Sequence, residues 1–166
     1  MRTKDIVIVG IMSALLIIVQ IGLSFLPNIE LVSLLIILFT IIYGWKTLYI
    51  IYIFVIVEGL IFGFSIWWIN YLYVWTILML ITMLFKDKRS PFFWAIISGA
   101  FGLSFGALCS IPYFFIGGTP MAISGIISGI PFDAIHCISN YAIALGLFSP
   151  LYHLFIWINR KGSLSK

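Results

Sequence analysis

The alternation of long apolar runs with short breaks constrains this chain more than any other feature. Six predominantly apolar segments cover residues 5–26, 29–44, 47–63, 66–85, 92–116 and 130–158. The breaks fall at Pro27-Asn28, Lys46, Gly63-Phe64-Ser65, Lys86 to Pro91 and Gly117 to Gly129, all made of residues that turn the chain or carry charge. A membrane-spanning helix needs about 17–25 such residues. Only 8% of the 166 residues are charged and 63% are hydrophobic, against about 25% charged in a soluble domain. The pattern predicts an all-α membrane protein, with six transmembrane helices in one compact bundle and residues 1–166 as a single domain. The second and third segments are short and the sixth is long, as tilted helices around a cavity would be. Arg2, Lys4 and the apolar run after them resemble a signal peptide, but Gly22-Leu-Ser24 is a poor cleavage site, and a first span is the expectation.

Charge predicts the orientation. The chain has nine basic residues: Arg2, Lys4, Lys46, Lys86, Lys88, Arg89, Arg160, Lys161 and Lys166. With six spans they all fall on one side, in the N-terminus, the two even-numbered turns and the C-terminus. The positive-inside rule then makes both termini cytoplasmic. The net charge of +4 is thereby explained by topology, with anionic lipid as a minor partner and no nucleic acid implied. Gly117 to Gly129, rich in Gly, Pro and Ser, is expected to be an outer loop able to fold over a site as a lid.

In such a chain the polar residues inside the spans stand out. Asp133, His136 and Asn140 share one helical stripe, since offsets of three and seven return to the same face at about 100° per residue. Counting about 1.5 Å per residue, the stripe descends about 5–15 Å from the outer end of the sixth helix. By the same count Glu58 lies about 8 Å from the outer end of the third. Glu30 opens the second helix, and Asn70 lies a turn into the fourth among Trp67, Trp68 and Tyr71. The intramembrane ionisable groups are thus expected in the outer half, above an almost purely apolar inner half. Each costs at least about 2.5–3.5 kcal/mol on insertion scales, so each should face a cavity or a partner.

These residues have plainer readings too. Asp133 follows Pro131 and suits a helix start, where a carboxylate meets the helix dipole. His136 could donate to a carbonyl of a neighbouring helix. Trp67, Trp68 and Tyr71 lie where an interfacial aromatic belt is expected. Taken together, carboxylates, amides and rings without an outer Lys or Arg suit a flat neutral or cationic heterocycle better than an anion.

Catalytic signatures are missing. There is no phosphate-binding Gly-x-x-x-x-Gly-Lys-Ser/Thr loop, no HExxH, no Gly-x-Ser-x-Gly and no metal-ligand spacing. Asp133 and His136 at i,i+3 share a surface, but no nucleophile accompanies them. Cys109 and Cys137 read as small core residues. The expectation is a binding protein with no enzyme activity, cofactor or metal. Gly10-Ile-Met-Ser-Ala14 is a small-xxx-small pair with Ser13 beside it, suited to close helix packing in lipid.

With these features together, the chain resembles the substrate-binding S components of energy-coupling factor (ECF) vitamin transporters. The resemblance rests on six spans with an inside N-terminus, on Gly10 and Ala14 in the first helix, on "LPNIELVSLLIIL" and on "SGIPFDAIHCISN…SPL". The family motif in the first helix is usually Ala-x-x-x-Ala, and Gly10 stands in place of the first Ala. The resemblance implies a bacterial plasma-membrane, multi-pass subunit that captures a vitamin or precursor from outside. It would deliver this substrate with a transmembrane coupling subunit and two cytoplasmic ATPases. A pyridoxine-, hydroxymethylpyrimidine- or thiamine-like molecule fits the pocket chemistry. The expected ligand contacts are Glu58, Trp67, Trp68, Asn70, Tyr71, Asp133, His136 and Asn140, with Gly10, Ser13 and Ala14 facing the coupling subunit. The alternative is a stand-alone channel or a proton- or cation-coupled carrier, against which the apolar inner half counts.

Overall fold

A computed structural model describes the backbone of residues 2–164 and the side chains of residues 2–160; Lys166 and the side chain of Lys161 lie outside these limits. It is 88% helical, with no strand among the described residues. The helices are α1 (Thr3–Leu23), α2 (Val32–Tyr43), α3 (Thr47–Phe62), α4 (Ile66–Leu84), α5 (Pro91–Cys109) and α6 (Ile111–Leu164), with a 3-10 turn at Gly44–Lys46. Among the described residues five stretches are long and apolar enough to cross a membrane: Thr3–Leu23, Val32–Phe62, Ile66–Leu84, Pro91–Cys109 and Ile111–Arg160. The second of these contains both α2 and α3, joined through Gly44–Lys46.

Local chemistry sets the helix ends. Gly44 (φ 58°) closes α2 and Gly63 (φ 86°) closes α3, both in the left-handed region that favours glycine. Ser90 caps α5 by accepting from the Phe93 amide at 3.3 Å, with Pro91 in the first helical position. The Glu30 carboxylate accepts from the Ser33 amide at 2.8 Å and so satisfies a free donor at the start of α2. Every residue of α2 from Val32 to Thr40 is buried. A helix that is apolar on all sides belongs inside other helices, and α2 is the central one here.

Cross-helix contacts define two ends of the bundle. At one, Lys46 Nζ lies 2.7 Å from Asp5 Oδ1, and Asp5, Tyr43, Lys46 and Asn159 line a common cavity. Asp5 therefore breaks the expectation that ionisable groups within the helices gather at one level, because it sits at the cation-bearing end with its charge paired. At the other end Gln20 meets Tyr71, Ser139 donates to the Asn28 carbonyl, and His136 meets Glu30.

The largest departure from expectation lies between α5 and α6. Residues 92–116 were expected to form one helix and 117–129 a loop. Instead α5 ends at Cys109, and residues 119–129 are helical, the chain breaking only at Gly117 and Gly118 (φ 70°, ψ −169°). Pro112 has no N–H to give the Leu108 carbonyl one turn back, so the helix is interrupted there. The Tyr73 hydroxyl takes over that carbonyl at 2.7 Å. Pro120 falls in the first turn after Gly118, where its missing donor costs little. The Gly/Pro/Ser composition thus marks a kink, and the loop-lid expected at Gly117 to Gly129 is not formed.

The most extensive helix pairing joins α5 to α6, along a seam of Gly99, Gly102 and Gly106. A Cβ at Gly102 would lie 2.8 Å from the His136 carbonyl oxygen, and one at Gly106 would strike the Asp133 carboxylate. Small residues allow this approach in lipid, where apolar burial gives helices no drive to associate. The seam sets the positions of Asp133 and His136.

Candidate functional site

The α6 stripe is consumed by packing. Asp133 Oδ1 accepts from the Gly106 amide at 2.9 Å, joining α6 to α5. Because α6 starts well before Pro131, Asp133 is a mid-helix residue and the helix-start role does not apply. His136 Nε2 lies 3.3 Å from Glu30 Oε1, with both side chains largely buried. A carboxylate only accepts, so Nε2 carries the proton in this bond. Phe105 covers the imidazole edge-on at 5.0 Å. Asn140 Nδ2 donates to Ser33 Oγ at 3.3 Å, and Ser139 Oγ to the Asn28 carbonyl at 2.6 Å. One turn of α6 is thereby fastened to the start of α2 by three bonds. Burial pushes the Glu30 carboxyl up, but the hydrogen bond and charge of His136, with the bonds from Ser33, outweigh it and hold the group below its ordinary 4.5.

Glu58 is in the opposite situation. It is 2% exposed, and its Oε1 has no hydrogen-bond partner among the described residues. It lines a cavity of about 220 Å³ with Gln20, Ser24, Phe62, Trp67 and Tyr71. A second cavity of about 250 Å³ shares Gln20, Ser24 and Tyr71 and extends past Asn28 and Glu30 to Trp75. The indole N–H of Trp75 is also buried without a partner among the described residues. Tyr71 stands between the two, edge-on to Trp67 at 5.2 Å and to Trp75 at 5.3 Å, with its hydroxyl 3.5 Å from Gln20 Nε2. Buried polar groups are nearly always hydrogen-bonded. An unmet acceptor and an unmet donor beside adjoining aromatic cavities therefore describe a place for a polar, flat molecule.

The remaining expected residues go elsewhere. Trp68 Nε1 donates to the Val55 carbonyl at 2.9 Å and the ring packs over Gly59, so this Trp holds α4 against α3. The Asn70 side-chain amide lies 3.0 Å from the Tyr73 hydroxyl, and Asn70 lines a separate cavity of about 590 Å³ with Cys109, Ser110, Ser124 and Ser128. Of the eight expected contacts, only Glu58, Trp67 and Tyr71 line the paired cavities, while Asp133, His136 and Asn140 do not. Gln20, Ser24 and Trp75 also line these cavities and were not among the expected contacts. A glutamine seven residues below Pro27 in an otherwise apolar helix was the available signal for the first of these. On α1, Gly10 and Ala14 are exposed, whereas Ser13 turns inward and donates to the Val9 and Ile50 carbonyls. Among the described residues no group of three His, Cys, Asp or Glu could hold a metal ion.

No family model, curated protein or solved structure matches the chain.

Proposed function

We propose that the protein is a membrane-embedded substrate-capture subunit of the S-component kind. In this reading it crosses a bacterial plasma membrane six times, with both termini inside, and takes a small vitamin-like heterocycle from the outer side. A transmembrane coupling subunit and two ATPases drive its delivery inward, and the chain itself catalyses no reaction. The observation that carries the reading is Glu58, a buried carboxylate with an unmet acceptor in an aromatic-walled cavity at the end opposite the Asp5–Lys46 pair. The ligand donates to Glu58 while its ring lies against Trp67 and Tyr71. Among the described residues no Lys or Arg lines either cavity, so the ligand is neutral or cationic.

The test is mass spectrometry of small molecules retained by the purified chain, followed by flux measurements in liposomes. A retained heterocycle that the isolated chain does not carry across the bilayer is the expected result. Flux by the chain alone, without ATPases, would instead establish a stand-alone channel or carrier.

A further inference from the structure

At the cation-bearing end, a cavity of about 290 Å³ is lined by Arg2, Lys4, Asp5, Tyr43, Lys46 and Asn159 among others. Four elements meet there: the start of α1, the end of α2, the turn that follows it, and the last turns of α6. Lys46 spends one bond on Asp5 Oδ1 at 2.7 Å, and Arg2 Nε stands 3.9 Å from Asp5 Oδ2. An ammonium has three donors and a guanidinium five, so one carboxylate leaves most of them free to meet further acceptors. Arg2 and Lys46 share the single carboxylate of Asp5, which leaves this group with a surplus of positive charge.

We propose that this cavity binds the phosphate of an anionic phospholipid headgroup. Phosphate oxygens match the converging Arg and Lys donors, and basic pockets between membrane helices take such headgroups. The surroundings favour a lipid over free phosphate. Ile8 and Ile42 add apolar surface to the lining, the first turns of α1 also expose Ile6 and Val7, and Trp45, 61% exposed, adjoins Lys46 in the same turn. Acyl chains would lie along this surface while an interfacial Trp marks the headgroup level. The site lies at the opposite end from Glu58 and does not depend on what occupies the Glu58 cavity.

Native mass spectrometry of the full chain, purified with equal phosphatidylglycerol and phosphatidylcholine, tests the assignment. The expected result is selective retention of phosphatidylglycerol, reduced about fivefold by Arg2→Gln and by Lys46→Gln, since each cation near the surface is worth about 1 kcal/mol. Lys46→Arg should restore it. Arg2 is largely exposed, so its replacement leaves the fold intact even if losing Lys46 loosens α1. Equal retention of the two lipids overturns the proposal. So does an equal loss in Lys88→Gln, whose cation lies in the α4–α5 turn outside the cavity lining, because the effect would then be general surface charge. Displacement of the lipid by millimolar inorganic phosphate would assign the cavity to the free anion, and capture of an acidic peptide in preference to the lipid would assign it to a protein partner.

Discussion

The α6 stripe and the Glu58 cavity lie near the same end of the bundle and use the same kinds of residue, yet they do different work. Asp133, His136 and Asn140 each have a protein partner, on Gly106, Glu30 and Ser33 respectively. Glu58 has an oxygen with none. Placement in the membrane raises the cost of a polar group in both regions, but only hydrogen-bond accounting separates a group that fastens helices from one left available. The stripe is a clamp. The ligand region we propose is the pair of cavities across the bundle, between α1, α3 and α4.

The sharpest way to break this contrast is His136→Ala. It strips a buried carboxylate, Glu30, of its ionic partner, and removing one member of a buried pair costs about 3 kcal/mol or more. Thermal or denaturant unfolding in detergent should show that loss, with ligand affinity per folded molecule changed little. A variant of full stability that has lost its ligand would move His136 from the clamp to the binding site.

Glu58→Gln should behave in the opposite way. It removes an unpartnered buried carboxylate, so stability is unchanged or rises. Ligand affinity should fall about 10–100-fold, the worth of a charge-assisted hydrogen bond of about 1.5–3 kcal/mol. Equilibrium binding of the molecule identified by mass spectrometry measures this directly. Unaltered affinity would leave the cavity without its main contact.

Acid should attack the clamp through Glu30. Its folded-state pKa is depressed below 4.5, so the stability it contributes is fully present above that value. It is lost as the pH falls below 4.5 and the carboxyl takes up a proton in the folded protein. Unfolding curves recorded down through this range should show the loss in the wild type and a flatter profile in Glu30→Gln. Identical profiles would remove the clamp's ionic component.

The all-helical, apolar character of the fold was legible because bilayer length and apolar runs leave few options. The breaks at Pro27-Asn28, Lys46, Gly63 and Lys86 to Pro91 fall where helices end. The 117–129 stretch was misread because Gly, Pro and Ser have two meanings at a helix kink. Pro112 ends one helix by removing a donor, whereas Pro120 begins another where no donor is needed. The site was legible only in part. The period of α6 put Asp133, His136 and Asn140 on one face, but no periodicity says whether that face meets a cavity or the start of α2. Their partners lie 27 to 107 residues away in sequence, and such pairings exist only once the helices have packed. Gly99, Gly102 and Gly106 were the overlooked clue, since a glycine seam announces a close helix neighbour and hence spent polar groups.

The finest version of the contrast lies between two adjacent residues. Trp67 lines the Glu58 cavity, while Trp68, one position on and about 100° around the helix, donates to the Val55 carbonyl. Trp68→Phe keeps an aromatic ring but deletes the donor, so it should cost about 1 kcal/mol of stability and leave the ligand untouched. Trp67→Ala deletes the ring that flanks Tyr71, and an aromatic contact of about 0.5–1.5 kcal/mol predicts a loss of affinity of a few-fold to about tenfold. Measuring unfolding and binding on both variants gives a two-by-two result whose diagonal is the expectation. If both changes lowered affinity alike, the ligand would be touching both faces of α4, which requires Trp68 to leave the Val55 carbonyl of α3 on binding. If neither did, the aromatic wall would be an interfacial belt and Glu58 would bind its ligand without stacking.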